Sequence, residues 1–399
     1  MTAGPQTHVL IVGVSDYVNL SAAPSTDLFQ LRKLNSAALS GYRFSQWLSE
    51  YGKTLDPPLA DSVRLLLSAT PDEIEKEPAL KTYVPGSECR ATLANVTAAL
   101  DAWRNAARVR PDDATLFYFA GHGLQRQDSS GADQVLLLED FGAVNSKLFR
   151  DALEFSSIKD GMVPSIGETG QPSIARKQLY FLDACRARPK ELFDLSGFRA
   201  TEHWDPERFP SENRTVAVYY ATLPGKLASG IEKEQSVFNR ALIRCLSGDA
   251  AEFDQWERRW RISTSSLFGG IARALDDLND ELGSDQHGDS NITGYHTIRW
   301  LLEPPTVQIS IELAPEEAAS LAALALFDRT GTPVPLGDRA GAPVFTLPPP
   351  LEPHPYPKKV PGGEYRLRLT VDPERFGNAE ESFTAMPPRS RWPIRLTPL

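Results

Sequence analysis

Two short runs of this chain are apolar without interruption and then stop at residues that do chemistry. They are Thr115-Leu-Phe-Tyr-Phe-Ala-Gly-His-Gly123 and Gln178-Leu-Tyr-Phe-Leu-Asp-Ala-Cys-Arg186. Neither Leu116–Phe119 nor Leu179–Leu182 has a helical period, and neither alternates as a half-exposed strand does. Such runs read as strands buried on both faces, which a parallel sheet with covered faces requires. In an open parallel sheet the chemistry sits at the carboxyl ends of the strands. His122 and Cys185 both fall there. A thiol and an imidazole brought to one edge of one sheet are the raw material of a nucleophile with its base.

The remaining segments supply the partners such a sheet needs. His8–Val14, Ser62–Leu67 and Thr215–Tyr220 read as further buried strands. Leu34–Tyr51 carries apolar residues at helical spacing, with Asn35 or Ser36 as N-cap, and Thr92–Ala107 repeats the pattern behind Thr92. Pro71–Pro85 reads as a polar surface excursion and Gln125–Asp133 as a polar loop. Gln134–Glu139 reads as a strand and Ser146–Phe155 as a short helix. Val237–Leu246 is helical, and Phe253–Leu278 contains at least one more helix. Strands alternating with helices from residue 8 to about residue 300 place this part in the α/β class.

At Glu303-Pro-Pro305 the composition changes. Short β-compatible runs follow at Val307–Glu312, Leu321–Phe327, Val344–Leu347, Tyr365–Val371 and Pro393–Leu396, separated by glycine and proline turns. They point to a smaller all-β, sandwich-like domain over residues 305–399, after a first domain over 1–304. Pro348–Pro361 is read as an extended loop.

Composition narrows the function. A net charge of −10 argues against nucleic acid as the main partner, because phosphate binding needs basic patches. Three cysteines, Cys89, Cys185 and Cys245, are too few for a disulfide framework and fit a reducing, cytoplasmic setting. No run approaches the roughly 20 apolar residues of a membrane helix, so no membrane partner is expected. His8 opens a strand and reads as incidental, His203, His287, His296 and His354 show no metal-ligand spacing, and no phosphate-cradling glycine loop occurs. No metal and no cofactor are expected. Asp276–Glu281 reads as a solvated acidic helix end.

Four features, in order, resemble the caspase-like cysteine peptidases, the superfamily of caspases, metacaspases and paracaspases. The first strand ends in Gly13-Val-Ser-Asp-Tyr17, the second element is Gly121-His-Gly123, and the third is Asp183-Ala-Cys-Arg186. Tyr220-Ala-Thr-Leu-Pro-Gly225 followed by Gln235–Leu242 is similar to the family's later strand, substrate loop and helix. The resemblance covers residues 8 to about 250. It implies a mostly parallel sheet flanked by helices, and peptide hydrolysis through an acyl-enzyme by Cys185 and His122. The N–H groups of Gly123 and Cys185 are candidates for an oxyanion hole.

The same resemblance bears on specificity and control. Asp183, two residues before the nucleophile, matches the pocket carboxylate of the metacaspase and paracaspase branch, which implies cleavage after Arg or Lys. Two matching positions depart from that branch: Ser36 stands where a second pocket Asp is usual, and Ala120 where a Ser is usual. A small or apolar residue before the scissile bond therefore stays open. Ser229 lies near where Asp-cleaving caspases carry Ser-Trp-Arg, and that element is missing, which disfavours cleavage after Asp. Asp183 also reads as a cap on the turn after its strand. Arg186–Asn213 follows the nucleophile as the family's processing loop does, and holds Arg186, Arg188, Lys190, Arg199 and Arg208, with Arg214 just after. Cleavage there, by the chain itself or by an upstream activating protease, is the expected control. Protein substrates are the expected partners, and bacterial defence or cell suicide is the context that related proteins suggest. The competing reading is a catalytically silent scaffold that displays the β domain.

Overall fold

The computed structural model describes residues 4–21, 31–83, 88–128, 131–143, 149–164, 174–187, 200–204, 213–226, 234–339, 342–351, 353–371 and 374–398. The chain packs as two compact units, one of Met1–Arg244 with Ser263–Trp300, the other of Cys245–Ile262 with Leu301–Leu399. The segment 245–262, which the sequence reading assigns to the first domain, thus packs with the second.

The first unit is built on a six-stranded sheet. Its parallel strands are β1 (Thr7–Val14), β2 (Leu59–Ser68), β3 (Ala114–Gly121), β7 (Lys177–Ala184) and β8 (Thr215–Tyr220). They lie in the order β8-β7-β3-β1-β2, and Asp289–Thr293 pairs antiparallel on the β8 edge. From β1 the chain goes first to one neighbour, β2, and then to the other, β3. That reversal makes the carboxyl ends of β1 and β3 a topological switch point, where a crevice opens in sheets of this kind.

Every residue of β1 and β3 is buried. Alternate side chains serve opposite faces, as strand geometry demands. Leu10, Val12, Phe117, Phe119, Tyr180 and Leu182 pack on Val96, Leu100 and Trp103 of α3 (Leu93–Ala107). On the other face Phe44 of α1 (Ala37–Tyr51) stacks on Tyr118 at 4.8 Å between ring centroids and meets Phe181 edge-on. Burying such rings contributes about 1.5–3 kcal/mol apiece. Ser36, one of the two expected residues, takes the N-cap position of α1. The Ser36 hydroxyl caps nothing, because the N–H groups of Ala37 and Ala38 donate to Ser15 Oγ and that of Leu39 to Glu73 Oε1.

In the first unit three stretches depart from their sequence reading. Within Pro71–Pro85, residues Pro71–Lys76 form the helix α2, closed by a capping box between Thr70 and Glu73. Where a polar loop was expected over Gln125–Asp133, β4 (Gly123–Asp128) and β5 (Gly131–Leu137) pair antiparallel, and β5 takes in most of the strand expected over Gln134–Glu139. Of the helix expected over Ser146–Phe155, residues 146–148 lie outside the described residues, Ala152–Glu154 is β6, the third strand of this small sheet, and α4 runs over Phe155–Gly161. The later helices α5 (Val237–Arg244) and α6 (Thr264–Leu282) lie inside the expected spans or extend them by a turn.

In the second unit, strands Tyr356–Pro361, Thr306–Ala314 and Arg389–Arg395 form one sheet. Thr346–Leu347, Ala323–Asp328, Gly363–Thr370 and Ala379–Ala385 form another. The alternating Val307, Ile309 and Ile311 share a core with Leu324, Leu326, Leu367 and Leu369, the arrangement of a sandwich. Tyr356–Pro361 is a strand despite two prolines because it lies on the sheet edge, where a missing N–H costs little. Within the same unit Glu252–Asp254 pairs with residues 259–261.

Candidate active site

The register of β3 against β7 ends at Gly121 opposite Ala184. The next residue of each strand is His122 and Cys185, so the parallel pairing carries imidazole and thiol to neighbouring positions on one rim. The chain leaving β1 reaches the same rim through Tyr17.

His122 is held from two directions. Its backbone N–H donates to the Tyr17 hydroxyl at 2.7 Å, and that hydroxyl lies 3.3 Å from the Leu137 carbonyl as its own acceptor. The two rings sit 4.9 Å apart. On the far side of the imidazole, Nε2 lies 2.7 Å from the carbonyl oxygen of Arg32. A carbonyl only accepts, so Nε2 carries the proton and Nδ1 keeps its lone pair. Burial pushes the imidazole pKa down to about 4, only partly offset by that hydrogen bond. The ring is therefore a neutral base at physiological pH.

Cys185 is half-buried, whereas Cys245 is wholly buried. The backbone after the thiol is tied down on both sides. Arg186 N–H donates to the Lys226 carbonyl at 3.0 Å, and Gly225 N–H returns to the Arg186 carbonyl at 2.8 Å. Gln134 Nε2 donates to the Cys185 carbonyl at 3.2 Å. Gly123 lies against this backbone: a Cβ there would stand 2.5 Å from the Cys185 carbonyl oxygen and 3.0 Å from Ala184 Cβ. Gly123→Ala is accordingly expected to force β4 off the Cys185 strand, at a cost of about 1–3 kcal/mol. Turnover should fall at least about tenfold through the displaced backbone. Steady-state kinetics beside a melting curve checks this, and an alanine variant with native turnover would contradict it.

Asp183 lies one position before the end of β7, opposite Ala120. It is 5% exposed. Its Oδ2 accepts from Tyr118 Oη at 2.8 Å and from Ser236 Oγ. Asn239 Nδ2 donates to the Tyr118 hydroxyl at 2.9 Å, and Ser236 N–H donates to Ser40 Oγ at 2.8 Å. Burial raises the Asp183 pKa to about 6, against the pull of the two hydroxyl donors. Ser36 joins this group at one remove, since Ser40 Oγ donates to the Ser36 carbonyl. Asp183, Ala120 and Ser36 therefore border one polar cluster beside the His122–Cys185 rim. Ser229 lies outside the described residues.

Sequence reasoning singled out none of Tyr17, the Arg32 carbonyl, Tyr118, Ser236 or Asn239 as site residues. Tyr17 was visible as the end of the Gly13–Tyr17 element, but a backbone carbonyl leaves no trace in residue identity. Of the basic residues in the expected processing loop, Arg186 pairs with Asp289 at 2.7 Å and lies over the Tyr220 ring. Arg214 donates to the Lys159 carbonyl and to Gln178. Arg188, Lys190, Arg199 and Arg208 lie outside the described residues. The other histidines are placed elsewhere: His8 meets Asp113, His203 meets Asp101, His287 meets Asp285, His354 accepts from Leu313 N–H, and His296 is buried. Among the described residues no group of His, Cys, Asp or Glu is arranged to hold a metal ion. None of the described helices is long and apolar enough to cross a membrane.

An uncharacterized protein of Sinorhizobium fredii is 22% identical over 57% of the chain and 63% of its own length. A probable protease of a Desulfuromonadales bacterium is 24% identical over 66% of the chain. The match spans 29% of that relative, so the chain covers less than two thirds of either one. Caspase-1 of Spodoptera frugiperda superposes with a TM-score of 0.38 at 14% identity, over 73% of this chain and 86% of the other. The caspase domain of peptidase family C14 matches residues 6–269, the span that holds the whole parallel sheet up to α6. With His122 and Cys185 at the ends of adjacent strands of that sheet, the chain belongs to the caspase-domain family of peptidases, C14.

Proposed function

We propose that the chain is a cysteine endopeptidase in which Cys185 is the nucleophile and His122 its base. The observation that carries this is the β3–β7 register, together with an imidazole whose Nε2–H is committed to the Arg32 carbonyl. In this reading the Nδ1 lone pair takes the thiol proton as Sγ attacks the scissile carbonyl. The oxyanion forms beside the Gly123 and Cys185 N–H groups. The imidazolium then protonates the leaving amine, the C–N bond breaks, and a thioester remains. Water, deprotonated by the same Nδ1, adds to the thioester and releases the acid and the thiol.

Asp183 sets the residue before the scissile bond, with Arg or Lys preferred. A buried carboxylate at that rim supports this, since a guanidinium or ammonium is its natural complement. One observation favours the other reading, a small or apolar residue: the carboxylate already accepts from Tyr118 and Ser236. A fluorogenic panel with Arg, Lys, Leu or Asp before the leaving group separates the two. Basic peptides should be hydrolysed at least about tenfold faster than the others. Preference for the Leu peptide would reverse the assignment, and no hydrolysis of any peptide would leave the scaffold reading. Control by cleavage within Arg186–Asn213 belongs to the same proposal. It predicts a chain that is nicked there when active; gels of active and Cys185→Ala protein check this, and an intact, fully active chain rules it out.

A further inference from the structure

The two contacts that orient His122 come from Tyr17 and from the Arg32 carbonyl, and both segments converge on one carboxylate. Asp16 precedes Tyr17. Its Oδ1 accepts from Lys33 Nζ at 2.7 Å, and its Oδ2 from Arg90 Nη2 at 3.1 Å. Lys33 follows Arg32 directly, so the Lys33–Asp16 pair ties the carbonyl-bearing segment to the Tyr17-bearing one. Backbone bonds complete the tie: Leu34 N–H donates to the Ser15 carbonyl and Lys33 N–H to the Ser21 carbonyl, each at 2.9 Å.

Arg90 anchors this knot in the interior. The Arg90 side chain is 2% exposed and grips Glu139 with two bonds, Nε to Oε2 at 2.8 Å and Nη2 to Oε1 at 2.6 Å. A paired guanidinium and carboxylate fix direction as well as distance. Glu139 also accepts from Ser68 Oγ at the end of β2, and its backbone carbonyl accepts from Val18 N–H. Four charged side chains thus link the loops after β1, β2 and β5. None of them contacts the His122 ring, and the buried Arg90–Glu139 end is difficult to justify by stability alone, because replacing a buried ion pair with apolar residues is often neutral or stabilising.

We propose that the Lys33–Asp16–Arg90–Glu139 network is a positioning device that holds His122 as the Nε2–H tautomer, so that Nδ1 is the free base. Lys33 and Asp16 are its adjustable end, and Arg90 with Glu139 its fixed anchor. The statement about catalysis rests on His122 being the base proposed above; the statement about the tautomer does not.

Nitrogen-15 spectra of the full chain labelled at histidine test it, with the His122 signals assigned by difference against His122→Ala. The wild-type protein should show one tautomer, protonated at Nε2. Lys33→Met, a half-exposed site where the fold should survive, should show both tautomers in exchange. Its kcat should fall at least about tenfold with KM within about twofold. Lys33→Arg, which keeps the charge, should restore a single tautomer and kcat to within about threefold of wild type. Asp16→Asn should behave as Lys33→Met. The network proposal is overturned if Lys33→Met and Asp16→Asn both keep the single Nε2–H tautomer. A tautomer shift alongside a fully active His122→Ala would instead retain the network and remove His122 as base.

Discussion

Cys185→Ala is expected to lose peptide hydrolysis by at least about 10⁴-fold in kcat while keeping its melting temperature, since a nucleophile cannot be replaced by positioning alone. The thiol is only half-buried, so its loss leaves no large cavity. His122→Ala should fall by a similar order, for a different reason. Without Nδ1 the thiol must ionise unaided, and the leaving amine finds no proton. The double variant should be no worse than either single one, because the two groups act as a unit. Progress curves on the fluorogenic peptides measure this. Iodoacetamide offers an independent check, as Cys185 should alkylate well ahead of Cys245, which is completely buried. A Cys185→Ala protein that still hydrolyses peptides within tenfold of wild type would end the peptidase assignment to this pair.

Asp183→Asn is expected to lower kcat/KM for an Arg peptide by about 100-fold, the value of a hydrogen-bonded charge pair withdrawn from water. The change for a Leu peptide should stay within about threefold, since the reacting atoms are untouched. Asparagine can still accept from Tyr118 and Ser236, so the fold is retained. The pH dependence follows from two pKa values that burial has moved in opposite directions. Asp183 is raised to about 6, so its carboxylate is the anion above that pH and is neutralised below it. His122 is lowered to about 4, so it remains a base well below neutrality. With Arg peptides, kcat/KM should therefore fall about tenfold per pH unit on the acid side of about 6, the slope of one essential ionisation. In Asp183→Asn that limb should disappear and leave only the lower one. An acid limb that stays near pH 6 in the variant would take Asp183 out of the specificity pocket.

How much of this was legible beforehand depends on what each residue's role requires. Two uninterrupted apolar runs, Leu116–Phe119 and Leu179–Leu182, cannot be solvated on either face. They dictate a covered parallel sheet and so bring whatever follows them to one edge. His122 and Cys185 could be singled out on that ground, while the order of the elements carried the family resemblance, which in turn pointed to Gly123 and Asp183. Hairpins were less visible. Over Gln125–Asp133 the residues are polar and read as a loop, although Gly123–Asp128 and Gly131–Leu137 pair through backbone hydrogen bonds that side-chain pattern does not encode, while Val135, Leu136 and Leu137 are buried. The capping box of Thr70 and Glu73 was legible but sits inside a proline-marked stretch that resembles a loop.

Buried apolar strands come from composition along the chain, and the sequence alone determined them, together with the identity of the thiol and the imidazole at their tips. Only the tertiary structure decided the state of those groups. The Nε2 proton of His122 depends on a carbonyl that every residue possesses, and what makes Arg32 the one that matters is the route of the chain past Asp16. The carboxylate of Asp183 and the imidazole of His122 depart from their ordinary pKa values because neighbours remote in sequence exclude water from them. Proton affinity is a property of surroundings, and surroundings exist only once distant segments have met.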